Sequence, residues 1–321
     1  MAMEKILCGI DLGGTKLSAG LIDTNGRIID KTVVFDHVTK SEDMVVDQMA
    51  SMVNHLLFRN SLNESDLMAV GVGFPGHMRY RDGITITTSN LEGFKNYPLR
   101  DALMKKFTVP VMVDNDANAQ ALCEFKFGAG QGYESLIFLT ISTGIGAGII
   151  LNKKLYRGLT GTAGEFGHTI VKPGSGLICT CGNEGCLMAC ACGRALPNLW
   201  REKTEAGYKT RIKLAEDFDY TMVDGKFIKK GIDTGDPLST SIMNDCADII
   251  GIGLYNIFQA FNPPLIVLGG GLLSWGEAYI NRIRSKFYTL AKNMIFDRID
   301  IVEAATGADA GLIGAAALAI E

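Results

Sequence analysis

Twice in this chain an apolar, β-prone run enters a glycine turn that carries a small hydroxyl residue and leaves it as a second apolar run. The first copy spans 5–23 around Asp11-Leu12-Gly13-Gly14-Thr15-Lys16, and the second spans 135–151 around Ser142-Thr143-Gly144-Ile145-Gly146-Ala147-Gly148. Each reads as strand, turn, strand. Asp11 aligns with Ser142 and Gly13 with Gly144, so one hairpin device is used twice. The repeat predicts two related α/β lobes, each offering a glycine turn to a shared cleft. At 321 residues the chain is longer than most single cores grow, which agrees with two lobes.

Between and after the hairpins the pattern fills in an α/β chain. A strand is expected over 28–35 and an amphipathic helix over 41–57 behind a Ser-Glu-Asp start. Strands are expected at 67–72 and 109–113 with a helix over 99–107, and 173–185 reads as loop. A long apolar helix over 239–261, a strand at 265–268 and an Ala-rich helix over 310–320 complete the set. The first lobe is expected to cover 1–116 and to recover 306–321, leaving 117–305 to the second. The apolar stretch 136–151 is broken by Thr140, Ser142, Thr143 and glycines, so it reads as a buried strand pair and not a membrane span.

Charge excludes some partners. With 31 basic and 35 acidic residues the formal net charge is −4, too weak and too mixed for a nucleic-acid or membrane-surface partner. The chain start lacks a secretory signal, so a cytoplasmic protein with reduced thiols is expected. Glycine is abundant, 38 residues against roughly 7% in average proteins, and asks for many tight turns or close approaches.

Glycine turns with small hydroxyl residues bring backbone N–H groups against phosphate oxygens. In the first turn Asp11 stands beside Thr15 and Lys16, a set suited to holding Mg²⁺ near a phosphate that Lys16 helps neutralise. Gly269-Gly270-Gly271, after an apolar strand, either admits a flat purine or ribose or serves close strand-to-helix packing. Gly71-Val72-Gly73-Phe74-Pro75-Gly76 matches a dinucleotide fingerprint, but the run His77-Met78-Arg79-Tyr80-Arg81-Asp82-Gly83 behind it is no helix, so that reading fails. Asp114-Asn115-Asp116 ends a strand before a helix. There Asp116 can take the proton of a substrate hydroxyl that attacks a γ-phosphoryl group, with Asn115 on a neighbouring hydroxyl; alternatively Asp116 caps the helix.

Five of the eight cysteines fall between 179 and 192. His168, Cys179, Cys181 and Cys186 supply one imidazole and three thiolates, the donors of a closed structural zinc site. His168 lies three residues after Glu165 and so would tie the metal to the cleft wall. Cys190 and Cys192 read as core packing, and Cys8, Cys123 and Cys246 as inert buried thiols. His37, His55 and His77 stand alone in the sequence and are expected at the surface or in capping roles.

These motifs in this order resemble the ROK sugar kinases, members of the hexokinase and actin-like fold group, over nearly the whole chain. The resemblance rests on the first hairpin turn, Gly73-Phe74-Pro75-Gly76, Ser89-Asn90-Leu91, Asp114-Asn115-Asp116, Thr143-Gly144-Ile145-Gly146, Glu165-Phe166-Gly167-His168, the Cys179 to Cys186 knuckle and Gly269-Gly270-Gly271. It implies a two-lobe actin-like ATPase (ribonuclease H-like) fold with a cleft between the lobes, and an enzyme that uses ATP and Mg²⁺, with structural Zn²⁺, to phosphorylate the 6-hydroxyl of a hexose.

Asp116 would be the general base. Gly76, Asn90, Asn115, Glu165 and His168 would surround the sugar. Asp11, Gly13, Gly14, Thr15, Lys16, Thr143 and Gly144 would face the phosphates, and Gly269 and Gly270 the nucleoside. Repressors of the family carry an N-terminal helix-turn-helix, for which there is no room before the hairpin at Lys5. A homodimer or homotetramer is implied.

One position departs from the family pattern. Where a glutamate usually comes two residues after the third cysteine and contacts the sugar, this chain has Met188, and a thioether cannot accept two hydroxyl hydrogen bonds. Glucose remains the first expectation, with N-acetylmannosamine, N-acetylglucosamine or fructose as alternatives. A catalytically weak sugar-binding sensor is the alternative outside the enzymes.

Overall fold

The computed structural model describes residues 5–37, 40–88, 91–295 and 297–321. The chain runs β1 (Ile6–Leu12), β2 (Leu17–Asp23), β3 (Ile28–Val34), α1 (Glu42–Arg59), β4 (Leu67–Phe74), β5 (Gly76–Arg79), β6 (Ile84–Thr88), α2 (Leu99–Met104), β7 (Val111–Asn115) and α3 (Asp116–Phe127). It continues with β8 (Leu136–Ile141), β9 (Ile145–Leu151), β10 (Lys154–Leu155), α4 (Leu187–Ala191), α5 (Leu196–Glu205), α6 (Gly225–Asp233), α7 (Pro237–Phe261), β11 (Leu265–Gly269), α8 (Glu277–Ala291), β12 (Asp300–Glu303) and α9 (Ala310–Ala317).

The strand order is β3-β2-β1-β4-β7 in the first large sheet and β10-β9-β8-β11-β12 in the second. Both put the opening hairpin's first strand at the centre, its second and third strands on one side, and two later strands on the other. That shared order is the three-dimensional form of the hairpin repeat. In the first sheet β1, β2 and β3 pair antiparallel, while β1–β4 and β4–β7 are parallel.

Alternation along β1 decides what covers each face of this sheet. Cys8, Ile10 and Leu12 pack in a core with Val45, Met49, Val53 and Leu56 of α1. Leu7 faces the opposite way, toward Leu312 and Ala316 of α9. A side chain on Gly71 of β4 would collide with the carbonyl of Ala315, so part of the glycine excess lets an alanine-rich helix lie directly on the strands. Helix α1 starts as its sequence suggests, with Ser41 Oγ accepting from Met44 N at 3.4 Å.

Two compact units result, Met1–Phe138 with Gly148–Gly164 and Glu303–Glu321, and Leu139–Ala147 with Glu165–Val302. The first unit recovers the C-terminal helix but does not end near Asp116. Helix α3 stays with it because a side chain on Gly314 of α9 would collide with the Ala119 carbonyl, and the 148–164 segment joins it through Gly148 against Ala121 and Arg157 on Asp114. Beyond the expected elements there are a short β5–β6 hairpin after the failed dinucleotide motif, the strands β10 and β12 and the helices α5, α6 and α8. Among the described residues no helix is long and apolar enough to cross a membrane.

Candidate functional site

In the first unit the turn between β1 and β2 is closed by Gly13 N donating to Lys16 O at 2.9 Å. Thr15 is exposed and Lys16 half-buried. Asp11, at the end of β1, lies beside the start of α9: a Cβ on Gly311 would come within 2.9 Å of both Asp11 carboxylate oxygens, so only glycine lets the helix come this close. Burial pushes the Asp11 carboxyl above its ordinary value; Lys16 opposes the shift and Asp309 adds to it.

His37 departs from expectation. It is fully buried, and its Nε2 lies 2.8 Å from Gly13 O, so the imidazole pins this glycine turn from beneath. His55 is exposed and His77 contacts Thr87 Oγ1, as isolated histidines often do.

The corner between β7 and α3 separates three adjacent polar residues into three tasks. Asn115 is the N-cap of α3, its side chain accepting from Ala117 N at 2.9 Å and Asn118 N at 3.3 Å, while its amide donates to Gly76 O at 3.1 Å. Asp116, the residue expected either as cap or as base, is therefore relieved of the cap. It stands at the first helical position, one oxygen accepting from Ala117 N at 2.8 Å. Asp114 is buried and accepts from Arg157 Nε, Asn118 Nδ2 and Asn115 N. Burial pushes its carboxyl up, and Arg157 pulls it back down. Gly76 packs so closely on β6 that a side chain would collide with the Thr87 carbonyl. Asn90 lies outside the described residues.

In the second unit Ser142 N donates to Gly144 O at 2.8 Å, closing the second glycine turn. Gly193 N and Arg194 N bond the carbonyls of Ser142 and Thr143 at 2.8 and 3.1 Å, which leaves Thr143 exposed on a fixed backbone. Gly269 ends β11 buried. Gly270 has φ +95°, and any side chain there would strike the backbone of Ile141, so close packing is sufficient reason for this glycine. A Cβ on Gly271 would stand 3.6 Å from Ser142 Oγ, which places the third turn beside the second. The methyl of Met188 fills the gap between two glycines, 3.6 Å from a Cβ on Gly144 and 2.9 Å from one on Gly167.

His168, Cys179, Cys181 and Cys186 come together, their donor atoms all within 4.8 Å of one another. Cys181 and Cys186 sulfurs are 3.7 Å apart, and Cys179 Sγ is 3.4 Å from His168 Nδ1. A tetrahedral ion with bonds of about 2.3 Å to sulfur and 2.0–2.1 Å to nitrogen sets such pairs roughly 3.8 and 3.5 Å apart, so the four donors fit zinc. The knuckle is built locally, with Cys179 N donating to Asn183 O and Gly182 N to Cys179 O. The backbone N–H of Asn183 holds the Cys181 thiol below its ordinary range, whereas burial pushes Cys186 up to about 12. On the opposite edge of the His168 ring, Nε2 lies 4.0 Å from Glu165 Oε2. Cys190 and Cys192 are buried core, as are Cys8, Cys123 and Cys246.

Three polar contributors escape a reading of the sequence alone: Arg157, the buried His37 and the fully buried Glu124, which accepts from the backbone of Ala129, Ala305 and Thr306. Only Glu124 leaves a local trace, because α3 is buried on nearly all sides and has no solvent face to offer it.

Residues 7–321 match the ROK family model, and the chain belongs to the ROK family. It is 34% identical to a glucokinase of Streptomyces coelicolor over 98% of this chain and 97% of that protein. The crystal structure of a ROK hexokinase from Thermus thermophilus superposes with a TM-score of 0.83 at 35% identity, covering 98% of each chain. That of a ROK family glucokinase from Streptomyces griseus, in complex with glucose and AMPPNP, gives 0.80 at 33% identity, again over 98% of each. The fold is thus the actin-like ATPase fold of these relatives.

Proposed function

We propose that this protein is an ATP-dependent hexose kinase that transfers the γ-phosphoryl group to a sugar 6-hydroxyl, with glucose as its foremost substrate. The observation that carries this reading is the division of labour at the β7–α3 corner. Asn115 takes the helix cap and Asp114 the buried ion pair, and between them they set the Asp116 carboxylate at the first helical position of α3, where it would accept the hydroxyl proton as that oxygen attacks phosphorus. The kinship with glucokinases over nearly the full chain supports the same conclusion.

The two glycine turns supply the phosphate contacts. Gly13, Gly14, Thr15 and Lys16 offer backbone donors, a hydroxyl and an ammonium, and Thr143 and Gly144 offer the second set. Asp11, desolvated and close to a second carboxylate, suits a divalent cation, and Mg²⁺ there would neutralise charge on the transferring group. Glu165 and His168 hold sugar hydroxyls, as do Asn115 and, by kinship, Asn90. Gly269 and Gly270 border the nucleoside. Zinc on His168, Cys179, Cys181 and Cys186 would lock the knuckle and orient the histidine ring so that Nε2 faces Glu165.

Met188 bears on the choice of sugar. Its methyl packs on Gly144 and Gly167 where a carboxylate would offer two acceptors, so a sugar hydroxyl there lacks a partner, at a cost of about 1–3 kcal/mol. A coupled ADP-release assay over glucose, mannose, fructose, N-acetylglucosamine and N-acetylmannosamine tests the proposal. Turnover is expected with glucose, and Met188→Glu should lower its KM. A folded, metal-loaded protein that releases no ADP with any of these sugars would overturn the kinase reading in favour of a sugar-binding sensor.

A further inference from the structure

Asp114 holds the corner that carries Asp116. Its side chain is 1% exposed, and its donors are Asn115 N at 2.7 Å, Asn118 Nδ2 at 2.9 Å and Arg157 Nε at 2.6 Å. The first two belong to residues on either side of Asp116, one at the end of β7 and one in the first turn of α3. The carboxylate therefore staples strand end to helix start, and Asp116 sits inside the staple. Two neutral donors alone do not offset the burial of a charge; a hydrogen-bonded cation does.

Arg157 is that cation, and it is held on several sides. Its side chain is 11% exposed and lies 3.8 Å from the centroid of the Tyr80 ring. Nη1 donates to Glu321 Oε1 at 2.9 Å and Nη2 also meets Glu321, while Arg157 O accepts from Ala163 N at 3.2 Å. The inner Nε thus serves Asp114 and the outer fork serves Glu321. A lysine, with one compact point charge, cannot span both acceptors.

We propose that Arg157 is a positioning residue for phosphoryl transfer: through Asp114 it fixes the β7–α3 corner and so aims the Asp116 carboxylate. This rests on the kinase reading above. Loss of Arg157 leaves Asp114 buried without a cation, and the carboxylate then turns toward water or takes up a proton. Either response frees Asn115 N and Asn118 and lets Asp116 drift, and a misplacement of about 1 Å at a reacting group can lower the rate about a hundredfold.

The test uses the full chain with glucose and MgATP. Arg157→Met should lower kcat about 10- to 100-fold while KM for both substrates stays within about twofold, and Arg157→Lys should fall between it and wild type. A purely structural role would lower the folded fraction, read by ATP-binding stoichiometry, and leave kcat per binding site unchanged. If Arg157→Met does not fold, Arg157→Lys decides. Wild-type kcat per site in a folded Arg157 variant, or an effect confined to KM, would overturn the positioning role alone. A wild-type protein without turnover would overturn the kinase reading and this inference with it.

Discussion

Replacement of Glu124 should loosen the point where the C-terminal segment joins the first unit. Its side chain is fully buried, with Oε2 accepting from Ala129 N at 2.9 Å and Ala305 N at 3.0 Å, and Oε1 from Thr306 N at 2.9 Å and from Thr306 Oγ1. In Glu124→Gln the amide NH₂ cannot face the two backbone donors, neither of which can turn. It must take the Thr306 side, where the hydroxyl can rotate to accept and only Thr306 N is orphaned.

One buried donor without a partner costs about 1–3 kcal/mol. Glu124→Ala orphans three backbone donors and opens space that water partly refills, so about 3–5 kcal/mol is expected. Urea unfolding reads both values, and amide exchange at Ala305 and Thr306 should quicken in the same order. A Glu124→Gln protein within about 0.5 kcal/mol of wild type, with Ala305 and Thr306 exchanging at wild-type rates, would show that the Glu124 carboxylate does not hold the C-terminal segment.

The site itself carries three more expectations. Asp116→Asn should lower kcat by roughly 10²–10⁴ with ATP affinity nearly unchanged, as kinetics beside a binding titration would show. Cys181→Ser should lose its zinc by elemental analysis and melt about 5 °C or more below wild type; unchanged metal content would count against the knuckle. Asp11→Asn should abolish turnover yet raise Tm at neutral pH. Burial holds the Asp11 carboxyl above its ordinary 3.8 in the folded state, so ionisation destabilises the fold as pH rises through that window, and the gain should vanish below pH 3.8. An Asp11→Asn Tm equal to wild type at pH 7 would remove the desolvation argument.

What the sequence makes legible are features whose partners lie close along the chain. The hairpin turns declare themselves by glycine and alternation, and both large sheets carry the implied repeat in their strand order. The knuckle is legible because three thiolates fall within eight residues and carry their own chemistry. Arg157 and Asp114 are 43 residues apart, and Arg157 and Glu321 are 164 apart, so no local pattern joins them. His37 looks solitary for the same reason, since Gly13 is 24 residues away. The first unit runs past Asp116 because α3 packs on α9, a contact between residues near 119 and 314 that periodicity cannot convey.

Phosphoryl transfer to a hexose is decided by the identity of the product. Full-length protein incubated with glucose and MgATP should convert glucose to its 6-phosphate with one ADP formed per ester, read by phosphorus NMR and mass spectrometry. ADP formed without a sugar phosphate, or no ester on any hexose or N-acetylhexosamine from folded and metal-loaded protein, would contradict it.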